Sequence, residues 1–180
     1  MRFDLFVRDR QDQPIATQTD VEFQPRRWKS GAVGGPLEAE IIVTGSRPGL
    51  KALLGWLRYD VQVVSSRGAR CWRGYVHEVE LQLDGLAIVA SLDNLRNRIM
   101  VAYSSLEGAT EQALATAWGE NLGSMGSYGT KEHVESLGQA TTAMANALRD
   151  NMLAQYAYPR LTRSLVDNDT MQAVLRCRGW

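Results

Sequence analysis

The sequence is poor in the side chains that build metal centres and disulfide frameworks. Its 180 residues include two cysteines, Cys71 and Cys177, and two histidines, His77 and His133. Two isolated cysteines exclude a four-cysteine zinc site and a dense disulfide framework, although a single bridge between them stays open. No HExxH, HxH or CxxC spacing is present, so the sequence predicts no metal site and two structural histidines.

Long apolar runs and an excess of charge are missing too. No stretch approaches the ~18 apolar residues that a membrane-spanning helix needs, and the first residues lack the apolar segment of a secretory signal. Twenty basic side chains balance twenty acidic ones, which argues against a dedicated nucleic-acid-binding protein. We therefore expect no membrane span and no sequence-specific nucleic acid as a partner.

Lysine is scarce, because only Lys29, Lys51 and Lys131 accompany an otherwise arginine-based set of 20 basic residues. Arginine is favoured at protein interfaces and lysine is depleted there. A G+C-rich genome produces the same bias, so a functional and a compositional explanation both stay open.

Residues 1–104 have the alternating pattern of short strands separated by turns. The candidate strands are 3–7, 17–24, 37–44, 61–64, 70–83, 86–90 and 99–103, with a glycine-rich loop over 28–36. One short helix interrupts them, because Ser46 is a good N-cap and leucines recur at helical spacing from Leu50 to Leu57. A further helical turn is predicted over 91–95. The pattern is typical of a small barrel or sandwich.

The longest candidate strand, 70–83, changes phase along its length. Trp72 and Val76 share one face, whereas His77, Val79 and Leu81 share a face further on. Such a slip predicts a β-bulge, which bends a sheet towards closure. The following Asp84-Gly85 pair predicts a hairpin turn.

The second part of the chain predicts a linker, a long helix and one more strand. Residues 105–130 are rich in small residues, with edge strands expected near 115–118 and 127–132. A capping box formed by Ser136 and Gln139 predicts a helix that runs to Tyr156 and ends before Pro159. Residues 171–177 again have strand character. We therefore predict two domains, 1–104 and 105–180.

Patterns that suggest catalysis fail on inspection. Residues 123–129 do not place a serine in the G-x-S-x-G phase, and 45–52 depart from a phosphate-binding loop in spacing and in their last residue. Glu78 and Glu80 share one strand face, which indicates a solvated surface better than a glycosidase pair. The sequence predicts no enzyme, and no catalytic, cofactor-binding or metal-binding residue.

Several segments resemble the first barrel of the hub proteins of tailed-bacteriophage tail tips and baseplates. They are Trp72-Arg73-Gly74-Tyr75-Val76, the stretch from Ser91 to Arg98, and Val101-Ala102-Tyr103. The segment 127–132 with the alanine-rich helix to Pro159 is similar to the link into the second barrel of these hubs, and 177–180 is similar to an early strand of that barrel. The resemblance covers most of residues 36–180.

The resemblance implies a fold that is mainly β with α: a small β-barrel with one short helix, then a long linking helix and the start of a second β-barrel. It also implies a structural ring subunit that joins the tail tube to a central spike or fibre. The expected partners are further copies of the chain, as a homotrimer or else a hexamer, and tube, spike and baseplate subunits. The expected location is the virion, after assembly in the host cytoplasm.

Two other functions stay open from the sequence. The chain is also compatible with a distal-tail or other baseplate ring protein that shares the barrel. A carbohydrate-binding β-module is a further alternative, in which Trp28 or Trp118 would be the stacking platform for a sugar.

Overall fold

The computed structural model describes residues 3–15, 20–105, 112–167 and 170–180. The protein is mainly β with few helices, as expected. It forms two compact units: Met1–Asp93 together with Leu161–Trp180, and Asn94–Arg160. The first unit is therefore built from both ends of the chain.

The secondary structure follows the order of the chain. The strands are β1 (Phe3–Arg8), β2 (Val21–Gly31), β3 (Gly35–Gly45), β4 (Asp60–Ser65), β5 (Arg70–Leu83), β6 (Leu86–Ser91), β7 (Arg98–Ser105), β8 (Ala113–Ala115), β9 (Gly119–Glu120), β10 (Glu132–Ala140), β11 (Leu161–Leu165) and β12 (Gln172–Gly179). The helices are α1 (Arg47–Ala52), extended by a 3₁₀ turn over Leu53–Trp56, α2 (Leu122–Tyr128) and α3 (Thr142–Tyr156). Within the described ranges, no helix combines the length and the apolar character required to cross a membrane.

The first unit is one curled antiparallel sheet that forms a half-barrel. Its order is β1-β4-β5-β12-β3-β2, while β6 pairs with the second half of β5 and β11 pairs with β6. No pairing among the described residues joins β1 to β2 across the gap. The Phe3 and Trp28 rings meet there instead, edge to face, with centroids 4.7 Å apart. The β-rich class is thus confirmed, whereas the barrel–helix–barrel arrangement is not.

The predicted bulge in β5 is confirmed. Arg176 of β12 lies opposite Glu78, but the next residue, Cys177, lies opposite Val76, so His77 is the extra residue. Val76 and His77 are consecutive buried residues, and the buried positions change parity at this point. The two halves of β5 therefore direct different sets of side chains into the same core, as a bulge allows.

The helix over 46–57 and the turn at 84–85 also form as predicted. The Ser46 hydroxyl accepts a hydrogen bond from the Gly49 N–H at 3.2 Å, and Leu50 and Leu53 are fully buried. Asp84 and Gly85 have φ values of 48° and 77°, which fits a two-residue hairpin turn with both residues left-handed.

Other details of the first part differ from the prediction. The stretch 28–36 forms the end of β2, a tight turn and the start of β3 instead of a loop. Strand 17–24 is present from Val21 onwards, and residues 17–19 lie outside the described part. The predicted helical turn over 91–95 is a non-helical turn.

The strand predicted over 171–177 is present, but the expectation from the resemblance that 177–180 belongs to an early strand of a second barrel is not confirmed. The strand, β12, lies between β3 and β5 of the first sheet. Ala173, Leu175 and Cys177 are buried, so the strand supplies inner-face side chains to the half-barrel core. The predicted division into 1–104 and 105–180 does not include this return of the chain to the first unit.

The predicted helix from Ser136 is wrong in its first part. Residues 132–140 form β10, which pairs in parallel with β7. The helix begins only after Thr141, whose hydroxyl accepts a hydrogen bond from the Met144 N–H at 3.3 Å. Pairing with β7 and burial of Ala140 outweigh the local capping pattern.

The second unit is a mixed sheet with one helix packed on it. The sheet has the order β10-β7-β8, and β9 also pairs with β7. Its core contains Val101, Tyr103, Ala140 and Ala145, with the side chains of Leu137 and Leu148 at its border. The sequence predicted a linker here, with edge strands near 115–118 and 127–132. The structure instead has the short strands β8 and β9 followed by helix α2.

A buried asparagine connects the loops of the second unit. The Asn97 side-chain NH₂ donates to Ser124 Oγ at 3.2 Å and to the Gly129 carbonyl at 2.8 Å, and its carbonyl accepts from the Lys131 N–H at 2.7 Å. The Ser124 hydroxyl donates to the carbonyl of Ala157, just after α3. One polar side chain thus holds α2, the loop before β10 and the end of α3 together.

Replacement of Trp72 by alanine tests the core of the half-barrel. Trp72 is 1% exposed, and its ring lies where a side chain at Gly74 would otherwise be. Trp72→Ala is expected to lower the free energy of unfolding by about 3–5 kcal/mol because it leaves a cavity. Urea unfolding measures the loss, and Trp180→Ala, which truncates a 55% exposed tryptophan, should cost much less.

A second substitution tests the asparagine network. Asn97→Ala removes the partners of buried polar groups, and each group left unsatisfied costs about 1–3 kcal/mol. We expect a clear loss of stability in urea unfolding and faster hydrogen exchange of the Lys131 amide. Asn151→Ala, at an exposed position of α3, is the matched control; equal losses for both variants would contradict the role of Asn97.

Candidate functional site

The strongest accumulation of charge lies on the outer face of the half-barrel. We call it the charged face: Arg27 and Lys29 of β2, Glu38 and Glu40 of β3, Arg176 and Arg178 of β12, Glu78 and Glu80 of β5, and the adjoining Asp93. The sign of the charge alternates from strand to strand. Opposite charges on neighbouring strands stabilise a sheet, whereas like charges directly opposite destabilise it.

Ion pairs connect the neighbouring strands in two groups. On β2 and β3, Lys29 Nζ lies 2.6 Å from Glu38 and Arg27 lies 3.1 Å from Glu40. On β12 and β5, Arg176 lies 2.7 Å from Glu80 and also pairs with Glu78. Burial raises the pKa of Glu80, but hydrogen bonds from Gln82 and Arg176 outweigh burial and lower the pKa overall.

The bulge residue His77 is bonded to the carboxylate of Asp93. His77 Nε2 lies 2.7 Å from one Asp93 oxygen, and Arg178 lies 3.0 Å from the same oxygen. The hydrogen bond to His77 and, to a smaller extent, the charge of Arg178 hold the pKa of Asp93 below its usual range, against the opposing effect of burial. The carboxylate is therefore a fixed anion at neutral pH.

A cavity of about 190 Å³ is lined by charged-face residues together with His77 and Cys177. A thiol, an imidazole and a carboxylate in one cavity suggest a nucleophilic site. Complete burial, however, raises the pKa of the Cys177 thiol to about 12, whereas a nucleophilic cysteine needs a lowered pKa. The group is therefore suited to hold β5 and β12 in place, not to attack a substrate.

The tryptophans considered as sugar platforms are engaged with other side chains. The Trp28 ring contacts Phe3, and the guanidinium of Arg98 lies 4.7 Å from the centroid of the Trp118 ring. Both tryptophans are half-buried. These contacts hold both rings within the chain, and the geometry gives no specific support to the carbohydrate-binding alternative.

The other residues considered from the sequence have structural surroundings. His133 lies 3.2 Å from Arg96 and 3.0 Å from Glu135 in the second unit. Glu78 and Glu80 pair with Arg176, as expected for a charged outer face. Residues 123–129 belong to α2 and its C-cap. Residues 45–52 comprise the end of β3, the N-cap Ser46 and all of α1. The two cysteines are free, so the bridge that stayed open is not formed.

An aromatic–arginine cluster was not predicted from the sequence. The Arg58 guanidinium lies 4.2 Å from the Tyr75 ring centroid and 4.4 Å from that of Trp180. Arg58 has a φ of 72°, and its N–H donates to the Val76 carbonyl at 2.8 Å. The cluster joins residues that are distant in sequence, so neither periodicity nor composition indicates it.

Several sheet edges are exposed and differ in how they are protected. The edge strand β2 has Pro25, two register shifts and the charged side chains Arg27 and Lys29, all of which discourage pairing with another chain. Strand β11 has neither proline nor register shift, and all five of its residues are exposed. Its Leu161 and Leu165 are 51% and 90% exposed.

Comparisons with known proteins return no match: no family model, no curated protein and no solved structure is similar to this chain. In the part of the chain that the structure describes, no group of three or more His, Cys, Asp or Glu side chains is placed to hold a metal ion.

The bond between His77 and Asp93 predicts a pH-dependent contribution to stability. Because the pKa of Asp93 is lower in the folded than in the unfolded protein, its contribution is complete above the unfolded value, ~3.9, and is lost as the pH falls through the folded value. Asp93→Asn should thus be clearly less stable than the parent at pH 6, and this difference should shrink as the pH falls below the unfolded value towards the lower folded one.

Urea unfolding over this pH range measures the difference. Asp4→Asn, at an exposed position of β1, is the control and should follow the parent at every pH. A difference between Asp93→Asn and the parent that stays constant from pH 6 to pH 2.5 would show that the carboxylate charge does not contribute.

Proposed function

We propose that the protein is a structural subunit of a symmetric assembly and not an enzyme. The observation that carries the proposal is the unpaired strand edge of the second unit: β10 and β8 each pair with β7 alone among the described strands. Unpaired edges are sites at which a sheet continues into another chain. An assembly would cover them.

The chemistry of the charged face supports this role. Its cations and carboxylates are paired within the chain, and burial keeps the one thiol near it protonated at neutral pH. Such a surface stabilises the half-barrel at little net charge. A chain without net charge also experiences little electrostatic repulsion between copies.

The particular assembly is proposed from the resemblance to tail-tip and baseplate hub proteins. In this proposal, three copies, or alternatively six, form a ring at the tip of a bacteriophage tail. The ring connects the tail tube to a central spike or fibre and contacts baseplate subunits. A distal-tail or other baseplate ring protein would have the same overall role.

The copy number in the intact particle tests the proposal. Cryo-electron microscopy of the tail, with the chain located by an inserted epitope tag at the 66–68 turn, should show three or six copies related by rotation about the tail axis. A single copy, or scattered copies without rotational symmetry, would contradict it. Hydrolysis of peptidoglycan, esters or nucleotides by the purified protein, lost on one substitution, would contradict the non-catalytic part.

A further inference from the structure

We infer that β11 is a self-association surface, where two copies of this chain pair their β11 strands in antiparallel fashion about a two-fold axis. The inference concerns a contact separate from the rotational contacts of the proposed ring and does not depend on them. It rests on three observations: the direction of the free backbone groups of β11, the sequence of the strand, and the protection of the competing edges.

The outer backbone groups of β11 are those of its odd-numbered residues. Leu161 to Leu165 pair in register with Ala90 to Leu86, and Val166 continues the register by donating its N–H to the Gly85 carbonyl at 2.9 Å. Because hydrogen-bonded pairs alternate along an antiparallel ladder, the even residues bond to β6. The N–H and C=O groups of Leu161, Arg163 and Leu165 therefore point away from the sheet.

The sequence of β11, Leu-Thr-Arg-Ser-Leu, is almost the same in both directions. Antiparallel pairing centred on Arg163 places Leu161 opposite Leu165 of the second copy, and Thr162 opposite Ser164 of the second copy, twice each. This register covers the two exposed leucines with each other and matches hydroxyl with hydroxyl. A two-fold contact requires this self-complementarity, and it identifies the occupant as a second copy.

One feature of this register is unfavourable, and it makes the inference testable. Arg163 lies opposite Arg163 of the second copy, and like charges directly opposite destabilise a strand pair. The two residues form a hydrogen-bonded pair, with Cα atoms about 5.5 Å apart. The side chains can thus diverge into solvent, and added salt should weaken their repulsion.

The other edges are less suited to this pairing. Strand β2 carries Pro25 and two register shifts. Strand β1 is partly covered, because the Ile15 N–H donates to the Val7 carbonyl at 3.0 Å. Strand β10 has a register shift after Leu137, and β8 has three residues. In the described part of the chain, β11 is the longest edge without such a feature.

Two substitutions at one position test the pairing by sedimentation equilibrium of the full chain. Arg163→Ser removes the like-charge contact and should tighten the dimer roughly two- to fivefold at low salt. Arg163→Pro removes an outward N–H that β6 does not use and should weaken the dimer by about tenfold or more. The parent dimer should tighten with salt, whereas the Arg163→Ser dimer should not. Circular dichroism verifies that both variants fold.

Position-specific cross-linking tests the register independently of affinity. In a Cys71→Ser background, Arg163→Cys places two thiols on the two-fold axis, within the Cα separation that a disulfide bridges. Leu165→Cys is the matched control, because its two copies would lie about 13 Å apart along the strands. Air oxidation should give a covalent dimer for the first variant and none for the second.

Three results would overturn the inference. They are a monomer at every concentration, association that Arg163→Pro leaves unchanged, and a cross-link at position 165 but not at 163. Any of these results, found together with rotational symmetry in the particle, would contradict the β11 contact and leave the proposed ring standing. A β11 dimer in solution, found together with a particle that lacks rotational symmetry, would keep the β11 contact and contradict the proposed ring.

Discussion

The insertion of β12 between β3 and β5 is the interaction on which the first unit depends. On its other side β3 pairs with β2, and β5 pairs with β4 and β6. Among the described strands, only β12 joins these two groups into one sheet. It contributes Ala173, Leu175 and Cys177 to the core and Arg176 to the ion pairs of the outer face. Without it, the half-barrel would be two separate pieces with an open apolar interior.

The bulge at His77 makes this insertion possible. Arg176 pairs with Glu78 and Glu80 on the outer face, while Cys177 enters the core opposite Val76. The two halves of β5 bury side chains of opposite parity, so a regular ladder could not pair both halves with β12. The extra residue absorbs the difference, and its imidazole is held by Asp93 at 2.7 Å. The bulge residue His77 therefore sets both which side chains of β5 pack in the core and which charged side chains lie on the outer face.

Local patterns predicted the parts of the fold that depend on local physics. The bulge in β5, the turn at Asp84-Gly85 and the capped helix after Ser46 each follow from a few neighbouring residues, and each is confirmed. The misplaced helix start at Ser136 has the opposite cause. Its capping pattern is satisfactory, but the partner strand β7 lies more than thirty residues away, and single-sequence periodicity contains no information about that partner.

The same distinction applies to the candidate site. Alternation predicted that Glu78 and Glu80 share an outer face, because that property belongs to one strand. Their pairing with Arg176, the bond between His77 and Asp93, and the cluster of Arg58 with Tyr75 and Trp180 join residues distant in sequence. The place of β12 in the first sheet was not predicted because its partners β3 and β5 are distant in sequence. The ion pairs of the charged face depend on that place, so they were not predicted either.

The late position of β12 has a consequence for synthesis of the protein. Its partners in β3 lie more than a hundred residues earlier, so the inner edges of β3 and β5 stay unpaired until the ribosome has translated the whole second unit. That second unit, 94–160, is contiguous and is free to fold first. Long-range pairing of this kind is slow and leaves apolar edges open to aggregation. Chaperone dependence of the nascent chain should therefore end only when residues 172–179 leave the exit tunnel.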